Sequence, residues 1–268
     1  MAAEGTIIIT GASTGIGAAT TARLLATGRR VVSLDIKEPP PGVSAHHHCD
    51  LSEPDDIDRV VAELATEAPI ASLLNIAGVP GTVPSDLVVG VNVLGLRHLT
   101  ESLWGRIADD GTVVNVASIA GNQWRKRLDL HLELLATPDF AAGADWWAAN
   151  EQRAGTDPYT FSKEAVVVYT MQLAGRDRAR GIQVNDVGPG PVDTPLLPDF
   201  TEQAGEKVMG WMIDQVGRAA TPDDIGEVLT WLAVGEHGWM NGQHITVDGG
   251  YTAGINARWI DRSSFPRD

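Results

Sequence analysis

Tyr159 and Lys163 stand four residues apart in the stretch DPYTFSKEAV (157–166). On a helix that spacing stacks both side chains on one face, about 6 Å apart along the axis. A phenol normally keeps its proton up to about pH 10, so tyrosine is a poor base at neutral pH. An ammonium group beside it favours the phenolate and lowers that value. The pair reads either as a general acid and base or as a half-buried tyrosine on an amphipathic helix. A second candidate is TGASTGIG (10–17), in which Gly11, Gly15 and Gly17 follow an apolar run and open a helical pattern. Glycines in that context allow a tight turn and close approach to a pyrophosphate, and the helix start supplies N–H groups and positive dipole. Asp35 ends the next apolar run, 18 residues past Gly17. A carboxylate there accepts both ribose hydroxyls of an adenosine and repels a 2′-phosphate. Thr14 offers such a phosphate no positive charge, whereas Lys37 softens the repulsion. The balance favours NAD over NADP.

His46, His47, His48 and Cys49 invite a metal reading. Along a strand alternate residues face opposite ways, so these four cannot converge, and no metal site is expected. Cys49 reads as a small buried hydrophobe.

The elements that must position these groups alternate. TIIIT (6–10), RVVSLD (30–35), AHHHCD (45–50), IASLLN (70–75), GTVVNVAS (111–118), IQVNDV (182–187) and HITVD (244–248) read as strands. A helix is expected over 17–28, and another near Ser52, which can cap it, with Pro54 and Asp55 in the first turn. Such alternation predicts one doubly wound α/β Rossmann domain, with a mostly parallel seven-stranded sheet and helices on both faces. Its ligand belongs at the carboxyl ends of the strands. A chain of 268 residues with 43% hydrophobic content supports one large core, and nothing in it marks a linker or repeat. A net charge of −15 argues against nucleic acid and anionic membranes as partners. The single cysteine and an N-terminus without a long apolar run predict a cytoplasmic protein.

In this order the motifs resemble those of the short-chain dehydrogenase/reductase family, over nearly the whole chain. TGASTGIG is similar to its Thr-Gly-xxx-Gly-x-Gly cofactor motif, and NIAG (75–78) to its Asn-Asn-Ala-Gly, with Ile76 in place of the second Asn. VNVLG carries Asn92, VNVASIAG carries Ser118, YTFSK carries the Tyr-xxx-Lys, GPGPVDT (188–194) resembles the Pro-Gly turn and VDGG (247–250) the close of the last strand. The resemblance implies reversible NAD-linked oxidation of a secondary alcohol, with Tyr159 as general acid/base. It implies that Lys163 holds the nicotinamide ribose and lowers the Tyr159 pKa, that Ser118 fixes the substrate oxygen, and that Asn92 stabilises a relay water. It puts cofactor contacts at Gly11, Ser13, Thr14, Gly15, Ile16, Gly17, Asp35, Asn75, Ala77, Gly78, Tyr159 and Lys163. Asp50 and Leu51 would meet the adenine, and Pro189, Gly190, Val192 and Thr194 would frame the nicotinamide and pyrophosphate. A small-molecule substrate and a homo-oligomer, dimer or tetramer, are implied too. One rival reading keeps the chemistry on a terpenoid, sugar or polyol alcohol, and another is a nucleotide-sensing protein without catalysis, which has no need of the full set Asn92, Ser118, Tyr159 and Lys163.

Two features depart from the family pattern. Ser118 and Tyr159 are 41 residues apart, against about a dozen in most members. The extra segment, about 123–156, reads as two helices that either roof the pocket or cover a helix face that relatives use to oligomerise. The link between Gly78 and Asn92 is short. These traits, with TGIGAAT and DTPLL, look most like the bacterial 3α-hydroxysteroid dehydrogenase/carbonyl reductase branch, which implies a bulky apolar alicyclic substrate. The segment of about 194–216 gathers Leu196, Leu197, Phe200, Met209 and Met212. It suits an apolar substrate lid, or equally a helix pair packed on the core.

Overall fold

Short β-branched runs become the centre of the sheet because both of their faces can be buried. The structure, a computed structural model, describes residues 3–67 and 69–266. The first two residues of the N-terminal stretch and the last two of the tail lie outside the described residues. Seven strands are seen among these, namely β1 (Thr6–Thr10), β2 (Val31–Asp35), β3 (Ala45–His48), β4 (Ile70–Asn75), β5 (Ile107–Val116), β6 (Gln183–Pro189) and β7 (His244–Val247). Their order is β3-β2-β1-β4-β5-β6-β7, and every neighbouring pair is parallel, where a mostly parallel sheet was expected. The chain reverses its direction of winding between β1 and β4, which opens a crevice at the carboxyl ends of those strands.

The helices among the described residues are α1 (Gly15–Ala26), α2 (Pro54–Glu63), α3 (Ser85–Val89), α4 (Leu96–Leu103), α5 (Leu128–Leu135), α6 (Phe140–Ala154), α7 (Pro158–Ala174), α8 (Leu197–Ala204), α9 (Glu206–Val216), α10 (Pro222–Val234) and α11 (Tyr251–Ala257). Alternation along the strands sorts the core into two layers. Ile8, Val32, Leu73 and Val113 pack with Ile57 of α2, Leu99 of α4 and Val166 of α7. Ile7, Ile9, Leu74 and Val114 pack with Leu24 of α1 and Leu229 of α10. Each such side chain, fully withdrawn from water, contributes roughly 1.5–3 kcal/mol.

Ser52 does not cap α2. Glu53 takes the N-cap position with Pro54 behind it. Ser52 instead gives its N–H and its hydroxyl to Asp50 Oδ1, at 2.9 and 2.7 Å. The first glycine turn forms as the sequence requires. Gly11 has φ +68°, and a Cβ there would stand 2.7 Å from the Ala77 Cα. A Cβ on Gly17 would stand 1.8 Å from the Gly11 carbonyl oxygen, so only glycine lets α1 sit this close to the turn.

Residues 123–156 leave the sheet as the end of a 3-10 stretch (Ile119–Arg127), then α5 and α6. The Asp139 carboxylate caps α6 by accepting from Ala142 N, and Gly155 ends it in the left-handed region at φ +61°. The two helices build a third cluster against α7 and the α3–α4 segment, with Trp147, Leu134, Phe161, Val93 and Leu94 in contact. Phe161 is fully buried there, 5.0 Å from Trp147 and 4.5 Å from His131 between ring centres.

Candidate active site

Asp157 starts the catalytic helix. Its Oδ1 accepts from Thr160 N at 2.9 Å, and Pro158 occupies the first turn of α7, where a missing N–H costs nothing. Tyr159 and Lys163 follow on one face, with the Lys163 Nζ 5.7 Å from the centre of the Tyr159 ring. Lys163 donates to the Val116 carbonyl at 3.0 Å. Burial pushes the Tyr159 phenol up to about 12, the Ser118 hydroxyl opposes this, and the Asp157 carboxylate adds to it. Burial also pulls the Lys163 ammonium down to about 8, against the Asp186 carboxylate. The sequence led us to expect a phenol lowered by its lysine. In the protein by itself desolvation wins.

Asn92 sits in a π turn (Gly90–Gly95) that joins α3 to α4, a distortion often found at functional sites. It is fully buried and works as a clamp. Its Nδ2 donates to Val79 O at 3.0 Å and to Ser162 Oγ at 3.1 Å, while its Oδ1 accepts from Val79 N at 2.9 Å. A Cβ on Gly78 would stand 3.1 Å from Asn92 Oδ1 and 3.4 Å from Lys163 Nζ, so the clamp, the glycine and the lysine meet at one point. Ser118 stands two residues beyond β5 and caps the following 3-10 stretch, with its Oγ accepting from Ala120 N at 3.1 Å.

Tyr159, Lys163 and Ser118 border a cavity of about 790 Å³ that runs along the carboxyl ends of the strands. Gly11, Thr14, Gly15, Ile16, Gly17, Asp35, Asp50, Leu51, Ala77, Gly78, Ser118, Tyr159, Lys163, Pro189, Gly190, Val192 and Thr194 all line it. So do Leu196, Leu197, Met209 and Met212. Three residues named from sequence do not. Asn92 stands behind Val79, as described. Ser13 turns its hydroxyl to Lys37 O at 2.7 Å and gives its N–H to Asp35 Oδ2 at 2.9 Å, which fixes the carboxylate over the turn. Asn75 is buried beneath the floor, donating to Asn115 Oδ1 at 2.8 Å and Thr100 Oγ1 at 3.0 Å.

The cavity also has walls that motif reading left unassigned. Phe200 of α8 lies 5.0 Å from the Tyr159 ring, centre to centre. Gln203 of α8 donates to Asp157 Oδ1 at 2.8 Å and accepts from Gly81 N at 3.2 Å, and Thr82 donates to Asp199 Oδ1 at 3.1 Å. This latch ties α8 both to the catalytic helix and to the short Gly78–Asn92 link. The apolar composition of 194–216 pointed to Phe200, but the partners of Gln203 are more than forty residues away and no local signal shows them. Trp211 of α9 faces elsewhere, edge-on to Tyr251 and Phe265 with its Nε1 donating to Ser264. The described part of the tail thus packs on α9 of its own chain. No described residue of 123–156 lines the cavity, so the insert covers helices here and does not roof the pocket.

The turn fits a dinucleotide. Thr14 is the N-cap of α1 with extended backbone, no side chain caps the first-turn N–H groups, and Thr14, Gly15, Ile16 and Gly17 line the cavity. Uncapped N–H groups aimed at a cavity are what a phosphate takes up. Among the described residues no three metal-ligating side chains converge. His46 and His47 turn to Ser33 and Glu63, and burial pushes the Cys49 thiol up to about 12. No helix among the described residues is long and apolar enough to cross a membrane.

A family model described as short chain dehydrogenase matches residues 5–128, and one described as Enoyl-(Acyl carrier protein) reductase matches residues 145–252. The stretch between them falls inside the insert. The chain belongs to the short-chain dehydrogenase/reductase family, and it is an oxidoreductase of the kind that works with a nicotinamide cofactor. It is 38% identical over 245 residues to a coniferyl-alcohol dehydrogenase of Pseudomonas sp. (strain HR199), covering 91% of this chain and 95% of that one. It is 29% identical over 255 residues to a 3-alpha-hydroxysteroid dehydrogenase/carbonyl reductase of Comamonas testosteroni, covering 92% and 96%. The solved 3-alpha-hydroxysteroid dehydrogenase of Pseudomonas sp. B-0831, complexed with NADH, matches with a TM-score of 0.77 at 28% identity, over 94% of this chain and 99% of that one.

Proposed function

We propose that the protein oxidises a bulky apolar alcohol with NAD, and that aryl-substituted alcohols of the coniferyl type are its first substrate class. The observation that carries this is the Phe200 ring beside Tyr159, which offers an aromatic face within reach of the reacting hydroxyl. Leu196, Leu197, Met209 and Met212 extend the same apolar surface. The 38% relative, a coniferyl-alcohol dehydrogenase, supports the choice. A second reading, a secondary alicyclic alcohol such as a hydroxysteroid, draws support from the match to the hydroxysteroid dehydrogenase solved with NADH.

In this reading bound NAD supplies the hydride acceptor, held by the α1 amides, Asp35 and Lys163. Tyr159 takes the hydroxyl proton as hydride leaves the carbon, and returns it in the reverse direction. Ser118 holds the substrate oxygen beside the phenol. Lys163, kept charged, favours the phenolate against the burial that opposes it. The Asn92 clamp keeps the Gly78 loop where Lys163 can reach. The α8 latch holds the Phe200 ring against Tyr159 at the wall of the cavity.

Initial rates of NADH formation over cinnamyl-type alcohols, hydroxysteroids, polyols and sugars test the assignment. A preference for polyols or sugars, or NAD binding with no turnover of any alcohol, would sink it. Asp35 gives a separate prediction about the cofactor. Asp35→Ser removes the repulsion of a 2′-phosphate and shifts the NAD/NADP ratio of kcat/KM toward NADP by about tenfold or more, equivalent to ~1.4 kcal/mol. An unchanged ratio would show that the carboxylate does not select. We further propose a cytoplasmic homo-oligomer. β7 forms a sheet edge, and Trp239, five residues before it in the chain, is 101% exposed, a surface suited to a second copy. Light scattering that gives a monomer mass would contradict this.

A further inference from the structure

A chain of polar side chains crosses the interior next to Lys163. Asn75 donates to Asn115, and Asn115 Nδ2 donates to Thr170 Oγ1 at 2.9 Å. The Thr170 hydroxyl neighbours the Asp186 carboxylate, whose Oδ2 makes no direct hydrogen bond. Asp186 Oδ1 meets His244 Nδ1. His244 Nε2 lies 2.9 Å from Asn122 Oδ1, and Asn122 Nδ2 donates to Thr252 at 3.2 Å. Asp186 and Thr170 are fully buried, and His244 is nearly so.

The register of the sheet places this carboxylate beside the catalytic lysine. Asp186 is paired with Asn115, and Val187 with Val116, whose carbonyl accepts from Lys163. Lys163 and Thr170 are seven residues apart on α7, two turns along one face. A buried carboxylate needs a partner or it protonates. Burial pushes the Asp186 carboxyl above its usual range, and His244, on β7, is the partner that opposes this. His244 Nδ1 faces the carboxylate and its Nε2 faces the Asn122 amide oxygen, so the ring is held against Asp186 from both sides.

We propose that Asp186, braced by His244, is a positioning residue that holds Lys163 in its charged form for proton transfer at Tyr159. The groups facing Lys163 are Asp186 from β6, Tyr159 on its own helix, the Val116 carbonyl of β5, and Gly78 with Asn92. Asp186 is the only carboxylate among them. The rest leave burial unopposed, and burial already pulls the ammonium to about 8. Without Asp186 the lysine is neutral over more of the working pH range. A neutral lysine no longer favours the phenolate, so the base form of Tyr159 appears at higher pH.

This inference rests on the dehydrogenase reading, and its test separates the two. The chain has four lysines, Lys37, Lys126, Lys163 and Lys207, so carbon-13-labelled lysine gives a resolvable NMR titration of Lys163. That titration and the pH profile of kcat/KM for alcohol oxidation are measured for the wild type, Asp186→Asn and His244→Gln. In both variants Lys163 should titrate lower, and the acid limb of the profile should move up by about one unit, a tenfold loss of rate on that limb. NADH affinity should hold. If Lys163 titrates as in the wild type, the proposal fails, and a drop in kcat with an unshifted limb marks a merely structural pair. Should Asp186→Asn not fold, His244→Gln decides alone. A wild type with no turnover of any alcohol defeats the dehydrogenase reading, while the lysine titration still decides the part of Asp186.

Discussion

Tyr159→Phe lowers kcat by about 10²–10⁴-fold and leaves NADH bound. The variant keeps the ring that packs on Phe200 and removes one oxygen atom, so the fold, the cavity and the α1 amides stay as they are. What goes is the phenol oxygen proposed to take the hydroxyl proton. Stopped-flow rates give the loss, and NADH fluorescence titration gives the retained binding. The pH dependence has a definite sign. Oxidation needs the unprotonated phenol and releases a proton, so the wild-type rate rises with pH, and the reverse reduction favours low pH. Burial holds the Tyr159 phenol near 12 and the Lys163 ammonium near 8 in the protein alone. The positive charge of an oxidised nicotinamide ring acts to lower the phenol, so the limb for oxidation should fall well below 12. A Tyr159→Phe enzyme with near-normal kcat would remove Tyr159 from the chemistry and return the pair to a packing role.

Arg127→Met destabilises the protein by about 3–5 kcal/mol, the loss expected when a buried ion pair is broken from one side. Glu164 is fully buried on α7, next to Lys163. Arg127 makes two charge-assisted bonds to it, at 2.7 and 2.5 Å, and His131 Nε2 lies 3.1 Å away. Methionine keeps much of the volume but leaves the carboxylate without its main partner. The midpoint of thermal unfolding should fall by on the order of ten degrees. Arg127→Met combined with Glu164→Gln should recover much of the loss, because no unpaired charge is then buried. A double variant as unstable as Arg127→Met would mean that the loss came from packing and not from charge.

The cavity-lining candidates were legible because each lies in a short contiguous motif near the end of a strand or the start of a helix. The glycine turn, Ser118 and the Tyr159–Lys163 pair are of this kind. Strand identities were legible for a related reason, since runs such as TIIIT have no other stable place than the centre of a sheet. Ends were less so. β5 begins at Ile107, before the Asp109–Asp110 pair, where Asp110 adopts φ +59°, a conformation that no residue pattern announced. Charge pairs across long separations were invisible. Glu164 and Arg127 are 37 residues apart, and Asp186 and His244 are 58 apart. Each looks in sequence like an ordinary charged residue, and only the register of β5, β6 and β7 brings the second pair together. Asn75 failed for the opposite reason. It has the right neighbours in the chain but turns beneath the floor, where Asn115 and Thr100 satisfy it.

The insert and the α8–α9 segment both interrupt the same Rossmann scaffold, yet they touch different things. The insert grips Glu164 and Phe161 and contributes no wall to the cavity, while α8 and α9 contribute Leu197, Phe200, Met209 and Met212. For an engineer the two are separate dials. A library randomised over 128–154 samples robustness at nearly constant substrate choice, and one randomised over 196–212 with Gln203 kept, so that α8 stays tied to Asp157, retunes which alcohol is admitted.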